Sequence, residues 1–455
     1  MQSYVSYRDS LSTALNGVLA KGLFWLGSAQ VLGRIVRLGS SIIIARLLTP
    51  EVFGQVAIIL TCFEIICTPT RRISSAALIK MDDNQVKQSL TAANRVNWLA
   101  AITAFVAMSL LSWPLAIYYD DLQLILPMIL MATSYLLLPF GMLYAALNLR
   151  LNRMRVVGRA VLWQTVFDAL LTGCFALLGF GIWAIILPKV IVVFIWIGVH
   201  RYHNPLPEAS SSANSLPPSQ EQRWQPLPLL PAKSKTILKF GIQVGLGDLA
   251  IALRQNIDYI LVGYFLGIEA LGVYFFAFNA SLGISLGLVQ SYGTALYSYL
   301  CQKDKDAEPT LLTLEQKYFK SLKFIMLLTV PVISLQAALA PLYVPWVYGQ
   351  KWLDAGALPV FILLCLSGLV RPLGEAASQY LISAGRSQFN LLYNSVFTFI
   401  LAVTIAISSS WGLQAVALGI LLSHLFVMPS FTLYLKLTQT TTDAPHCRSE
   451  AHYDC

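Results

Sequence analysis

The sequence predicts an all-α polytopic membrane protein of about twelve transmembrane helices, divided six and six. Three observations carry that prediction. The chain is 56% hydrophobic and only 12% charged, where a soluble domain carries roughly 25% charged residues. Apolar runs of about twenty residues, the length a bilayer core demands, follow one another with short polar or Gly/Pro breaks. One long polar linker interrupts the series near its middle.

The predicted spans lie near 22–45, 53–79, 98–119, 122–147, 158–179 and 181–200, then 237–264, 270–299, 318–347, 356–382, 389–409 and 411–436. The first follows 19 polar, mixed residues and is too long for the apolar region of a signal peptide. It is therefore read as a retained span. Lysine and arginine in connecting loops fix orientation. With the N-terminus inside, the inner loops hold eighteen of them, among them Lys87, Arg95, Arg150, Arg159, Lys317 and Arg386. The outer loops hold two, Arg46 and Lys351. Both termini are accordingly expected in the cytoplasm.

Residues 201–236 form a linker rich in serine and proline, including Glu208-Ala-Ser-Ser-Ser-Ala-Asn-Ser-Leu-Pro-Pro. That composition reads as a flexible or extended tether. The expected organisation is an N-terminal lobe over 1–200, a cytoplasmic linker over 201–236, a C-terminal lobe over 237–437 and a disordered tail over 438–455.

The lobes echo each other. Leu48, Glu51 and Gly54 match Leu266, Glu269 and Gly272 at an offset of 218. Pro139, Gly141 and Arg153 match Pro372, Gly374 and Arg386 at 233, and Gly181 matches Gly412 at 231. The order of the matches points to a duplicated six-span unit. An even number of spans per unit implies parallel repeats about an axis along the membrane normal.

The net charge of +9 resides mainly between spans. No basic-aromatic platform accompanies it, so nucleic acid is not expected as a partner. Of the seven cysteines most lie in apolar spans, and none forms a CxxC pair. The tail residues His446, Cys447, His452 and Cys455 read as part of a disordered terminus rather than a metal site. No metal or other cofactor is expected.

The spans themselves contain seven basic residues, Arg34, Arg37, Arg71, Arg72, Lys189, Arg254 and Arg371, and five acidic ones, Glu64, Asp168, Asp248, Asp258 and Glu375. At about 3 kcal/mol each, lipid-facing charges on this scale are prohibitive, so most must pair, snorkel or face water. Arg254 and Asp258, and Arg371 and Glu375, have the four-residue spacing of a local ion pair. Arg71 and Arg72 lie near the inner end of span two, where at least one is expected to snorkel to headgroups. Arg34, Arg37 and Lys189 have no acidic partner within helical reach. Two readings stay open for them: a partner on another helix such as Glu64 or Asp168, or a cationic cavity. The first half carries five basic and two acidic span residues, the second two and three. A basic first half suits a phosphate-bearing substrate. Acidic residues offer a site for a coupling cation, with Asp248 the free candidate and Asp258 and Asp168 beside it; a structural hydrogen bond is the alternative. The glycines at 241, 245 and 247 and at 283, 287 and 293 read as close helix packing or as bending points.

At Ala45-Arg-Leu-Leu-Thr-Pro-Glu-Val-Phe-Gly the sequence resembles the polysaccharide exporter flippases of the multidrug/oligosaccharidyl-lipid/polysaccharide superfamily. Arg254-Gln-Asn-Ile-Asp-Tyr-Ile-Leu-Val-Gly-Tyr-Phe-Leu-Gly and Gly181-Ile-Trp-Ala resemble the same family. The resemblance implies two six-helix lobes around a central cavity. It implies transfer of polyprenyl-pyrophosphate-linked oligosaccharides across the bacterial inner membrane by alternating access, for surface polysaccharides such as lipopolysaccharide or exopolysaccharide. It also implies membrane lipids, a polysaccharide polymerase and a chain-length regulator as partners. First-lobe arginines hold the anionic head in such proteins, and Arg34 and Arg37 occupy suitable positions, with Lys189, Arg71, Arg72 and Arg254 as further candidates. Where relatives have an acidic-Leu-Gly-like segment, this chain has Thr70-Arg71-Arg72-Ile-Ser-Ser-Ala. The alternatives are a multidrug or cation antiporter, a lipid II-type flippase, and a membrane glycosyltransferase or polymerase. Short outer loops without a catalytic cluster argue against the enzyme reading, and no Walker A sequence offers an ATP site.

Overall fold

A computed structural model of the chain describes residues 39–81, 83–151, 153–203, 232–301 and 314–440, together with Gly33, Val36 and Arg37. Arg34, residues 204–231 of the linker, and the tail from 441 onward lie outside the described residues. Helices without a strand account for the regular structure of the described part. The chain divides into two compact units, 1–275 with Val347–Gly349, and 276–346 with 350–455. The division falls at Phe275 and Phe276, within the stretch that the sequence reading gives to the C-terminal lobe.

In the first unit, residues 39–47 are helical and lead into α1 (Pro50–Arg72). Thr49 caps α1 by accepting the Val52 N–H, Pro50 sits at its first position, and Glu51 lies in its first turn. Each choice suits a helix N-terminus: a polar cap, a residue whose missing N–H is not needed, and an acid beside the positive dipole end. Arg71 and Arg72 occupy the opposite end, where cations are favoured. Then come α2 (Ser75–Lys80), α3 (Asp83–Tyr118), α4 (Ile125–Leu137) and α5 (Pro139–Arg150). The apolar stretch Leu122–Leu137 and α5 are bent by 51°. Pro139 accounts for the break, because it can donate no backbone hydrogen bond and its ring crowds the preceding turn. The hairpin of α6 (Met154–Leu177) and α7 (Trp183–Tyr202) turns through Gly179 at φ +80° and Gly181 at φ +55°. A Cβ on Gly33 would stand 3.0 Å from Thr165, and one on Gly173 would meet Ile43 at 3.6 Å. Gly33 and Ile43 thus meet α6 in the same order along the chain as Thr165 and Gly173.

The long α8 (Ala232–Cys301) breaks at Gly267, whose φ of +83° and ψ of −178° belong to no helix. Residues 232–275 of α8 belong to the first unit, and just beyond the break the repeated motifs meet. A Cβ on Gly54 would lie 1.9 Å from the Ile268 carbonyl oxygen, and one on Gly272 would lie 1.8 Å from the Pro50 carbonyl oxygen. Pro50 and Ile268, like Gly54 and Gly272, are 218 residues apart, so the two contacts are images of each other. Such reciprocity is what a local two-fold axis produces. Nearby, Arg46 Nε donates to the Val347 carbonyl at 2.7 Å, and Tyr118 donates to the Tyr264 carbonyl at 2.6 Å.

The second unit contains α8 from Phe276 onward, α9 (Leu314–Tyr348) as far as Trp346, α10 (Lys351–Asp354), α11 (Ala357–Ser367), α12 (Arg371–Ser383), α13 (Ser387–Ser408) and α14 (Leu413–Thr440). Helix α14 packs on α11, α12 and α13. Leu296, Tyr318, Ala376, Leu381 and Leu435 share one buried cluster. In the short α10, Trp352 is fully buried and stacks on Phe276 with ring centroids 3.8 Å apart.

Nine described helices are long and apolar enough to cross a membrane, or ten if the bent pair is one span. Predicted spans seven and eight count there as one kinked helix, and span one lies largely outside the described residues. The figure of twelve is therefore not reached among the described residues. Large apolar side chains such as Leu110, Leu327 and Leu342 are exposed on the helices, at 70%, 78% and 72%. A hydrocarbon solvent accommodates that surface.

Candidate functional site

The charged span residues of the first unit form two constellations. The first joins the end of α1 to the opening limb of α8. Gly241, Gly245 and Asp248 fall at i, i+4 and i+7, one face of a helix. A Cβ on Gly241 would lie 2.0 Å from the Ile73 carbonyl oxygen, and one on Gly245 would lie 3.3 Å from the Pro69 side chain. The two glycines let the backbones approach, and that approach brings Asp248 to Arg72. Arg72 Nη1 donates to Asp248 Oδ1 at 2.8 Å, with the arginine side chain 58% exposed and the aspartate 8%. Asp248 Oδ2 is buried and has no hydrogen-bond partner. Asp248 is therefore not the free carboxylate expected from its helix alone, because its partner is 176 residues away in sequence. Of the remaining span-seven glycine, a Cβ on Gly247 would meet nothing within 4 Å. Arg71, next to Arg72, is exposed and lies within electrostatic reach of Glu64 on the same helix. Thr68 donates to the Glu64 carbonyl and carboxylate.

The second constellation lies in the α6–α7 hairpin. Lys189 Nζ donates to Asp168 Oδ2 at 2.5 Å, with side chains 32% and 13% exposed. This selects the interhelical partner for Lys189 and occupies Asp168. Asp168 Oδ1 remains buried without a hydrogen-bond partner. Arg37 is exposed on the segment that packs along α6.

The other candidates stand apart. Asp258 is buried and accepts the Tyr274 hydroxyl at 2.7 Å and the Tyr259 N–H at 3.0 Å. The Tyr274 bond spans the break at Gly267 and ties the two limbs of α8 together. Arg254 is half-buried one turn before Asp258. In the second unit Arg371 lies over the Phe278 ring at 5.6 Å, while Glu375 accepts the Gln379 amide at 2.8 Å. Four-residue spacing fits both Arg371 and Gln379 to Glu375 without choosing between them, and it does not reach Tyr274, 16 residues from Asp258. It also missed Gln55, which donates to Asp121 Oδ2 at 2.6 Å. Among the described residues no three His, Cys, Asp or Glu side chains gather as a metal site, and the tail residues named above lie outside them.

Chemically, the first constellation offers one guanidinium paired with Asp248 and a second beside it. Guanidinium groups grip phosphate oxygens in pairs, a geometry ammonium cannot match. A model of the polysaccharide biosynthesis protein family matches residues 43–213 and 220–357. The teichuronic acid biosynthesis protein TuaB of Bacillus subtilis (strain 168) is 23% identical over 70% of this chain and 62% of its own length. The lipopolysaccharide biosynthesis protein WzxC of Escherichia coli (strain K12) is 25% identical over 42% of this chain and 37% of its own. Both alignments thus span less than two thirds of the relative. The solved inward-closed structure of the lipid II flippase MurJ superposes with a TM-score of 0.69 at 10% identity, covering 91% of this chain and 87% of that one. At that identity the likeness is one of fold.

Proposed function

This chain belongs to the polysaccharide biosynthesis protein family, and we propose that it carries polyprenyl-pyrophosphate-linked oligosaccharide units across the bacterial inner membrane by alternating access. The arginines of the first unit carry the reading. A pyrophosphate crossing hydrocarbon needs countercharge held within the membrane. Arg37 and Arg71 are exposed, and Arg72 is open on one side. Arg34 belongs to the same proposal. Lys189 contributes at one remove, since Asp168 already holds it. The excess of basic over acidic span residues in the first half disfavours the antiporter of organic cations.

Alternating access gives the two glycine contacts opposite duties. Gly54 and Gly272 close one end of the first unit, while Gly241 and Gly245 with the Arg72–Asp248 pair close the other. The inward-facing form would open one of these contacts and the outward-facing form the other. When the Arg72 pair opens, phosphate takes the guanidinium and Asp248 is left to a coupling cation. Asp258 and Asp168 already have Tyr274 and Lys189. The excess of lysine and arginine in the inner loops supports cytoplasmic termini in this reading.

The test is complementation of a flippase-null strain at matched protein levels. Arg34→Ala and Arg37→Ala are expected to abolish export while membrane insertion stays normal, and lysine at either position to rescue in part. Full export from both alanine variants would remove the cationic-site reading.

A further inference from the structure

A cavity of about 440 Å³ opens on the side of the α6–α7 hairpin, within the size range of ligand sites. Arg159 and Trp163 on α6 and Gly198, Val199, Tyr202 and His203 at the end of α7 line it. Neither of the charged constellations includes any of these residues. Arg159 and Trp163 are one turn apart, so a basic group lies roughly 6 Å along the helix from an indole. Trp163 is 49% and Tyr202 87% exposed. Beyond Trp163 the hairpin exposes large apolar groups, Phe167, Leu170 and Phe194 at 40%, 59% and 58%. The surface therefore passes from cationic through aromatic to hydrocarbon, the sequence of environments along a phospholipid from headgroup to chain.

The geometry points to a binding site for an anionic phospholipid, with the headgroup phosphodiester at Arg159 and one acyl chain along Trp163 and Val199. The C-terminal dipole of α7 would repel an anion by itself. Arg201 in its last turn, and Arg153, whose Nη1 donates to the His203 carbonyl at 3.5 Å, counter that field. His203 Nδ1 is 3.0 Å from the Val199 carbonyl and donates to it, which leaves Nε2 to accept from a headgroup hydroxyl. A lipid is favoured over free phosphate because Trp163, Val199 and Tyr202 offer the ligand apolar or aromatic surface and the cavity is open at its side. Gly198 leaves room, since a Cβ there would meet nothing within 4 Å.

Native mass spectrometry of the delipidated full chain in a neutral detergent tests this. Phosphatidylglycerol and phosphatidylcholine are titrated separately, with inorganic phosphate as competitor. The first lipid adduct is expected at about tenfold lower concentration for phosphatidylglycerol, a preference of about 1.4 kcal/mol. Arg159→Ala should bring that preference within about twofold of unity. Gly198→Leu, which fills open space, should weaken both lipids at least fivefold with an unchanged melting temperature. Equal binding of the two lipids by the native protein would overturn the proposal, as would native-like binding by both variants. Displacement of phosphatidylglycerol by millimolar phosphate would make the site one for a simple anion and equally overturn it.

Discussion

Replacing Gly54 by alanine probes the reciprocal contact where the repeats meet. The new methyl would stand 1.9 Å from the Ile268 carbonyl oxygen, whereas ordinary contact begins at 3.4 Å. The backbones must separate by the difference, about 1.5 Å. A gap of 0.5–1 Å already forfeits a quarter to a half of a dispersion contact, and forced overpacking costs about 1–3 kcal/mol. The partner atom is a backbone carbonyl, which cannot swing aside as a side chain would, so about 2–3 kcal/mol is expected. Gly272→Ala meets Pro50 at 1.8 Å and should cost the same. One separation relieves both clashes. The double variant should therefore cost little more than either single one, with a coupling of about 2 kcal/mol. Melting of the purified protein in detergent measures this, at about 2–4 °C per kcal/mol for a large chain. Each single variant should lose about 4–12 °C, and the double variant should fall within about 2 °C of the worse single one. Additive losses, or a single variant melting like the native protein, would refute the reciprocal contact.

Three further outcomes follow from individual contacts. Lys189→Met strands the mostly buried Asp168 carboxylate and should cost about 3 kcal/mol, and adding Asp168→Asn should recover at least half of it in the same melting assay. Trp352→Ala removes a fully buried ring stacked on Phe276 and should cost about 3–5 kcal/mol, while Trp352→Phe should cost clearly less. Tyr274→Phe deletes the hydroxyl that Asp258 accepts across the Gly267 break, at about 1.5–3 kcal/mol, and should raise hydrogen exchange at residues flanking 267.

Much of the fold is legible in the sequence because the bilayer imposes a length and a polarity on each span. Thr49-Pro50-Glu51 marks a helix start by local chemistry, and the structure begins α1 there. Glycines read as packing residues divide by context. Gly241 and Gly245 meet another backbone or side chain closely, while Gly247, two residues on, faces open space. A helix places neighbours two residues apart on different faces, and composition does not say which face has a partner. The candidate site is less legible for a related reason. Local spacing ranks only partners within about four residues, whereas Arg72 finds Asp248 at a separation of 176 and Lys189 finds Asp168 at 21.

By itself the sequence determined that this chain is a helical membrane protein with matching motifs in its two halves and an uneven distribution of intramembrane charge. Those properties follow from hydropathy, spacing and counting, which need no third dimension. Only the tertiary structure decided which charges neutralise one another and which remain open, and that the matched residues of the repeat touch reciprocally. The reason is physical: inside a membrane a charge is tolerated according to what stands opposite it, and what stands opposite is set by how closely two backbones can approach. At Gly54, Gly241, Gly245 and Gly272 the absence of a single carbon fixes that distance.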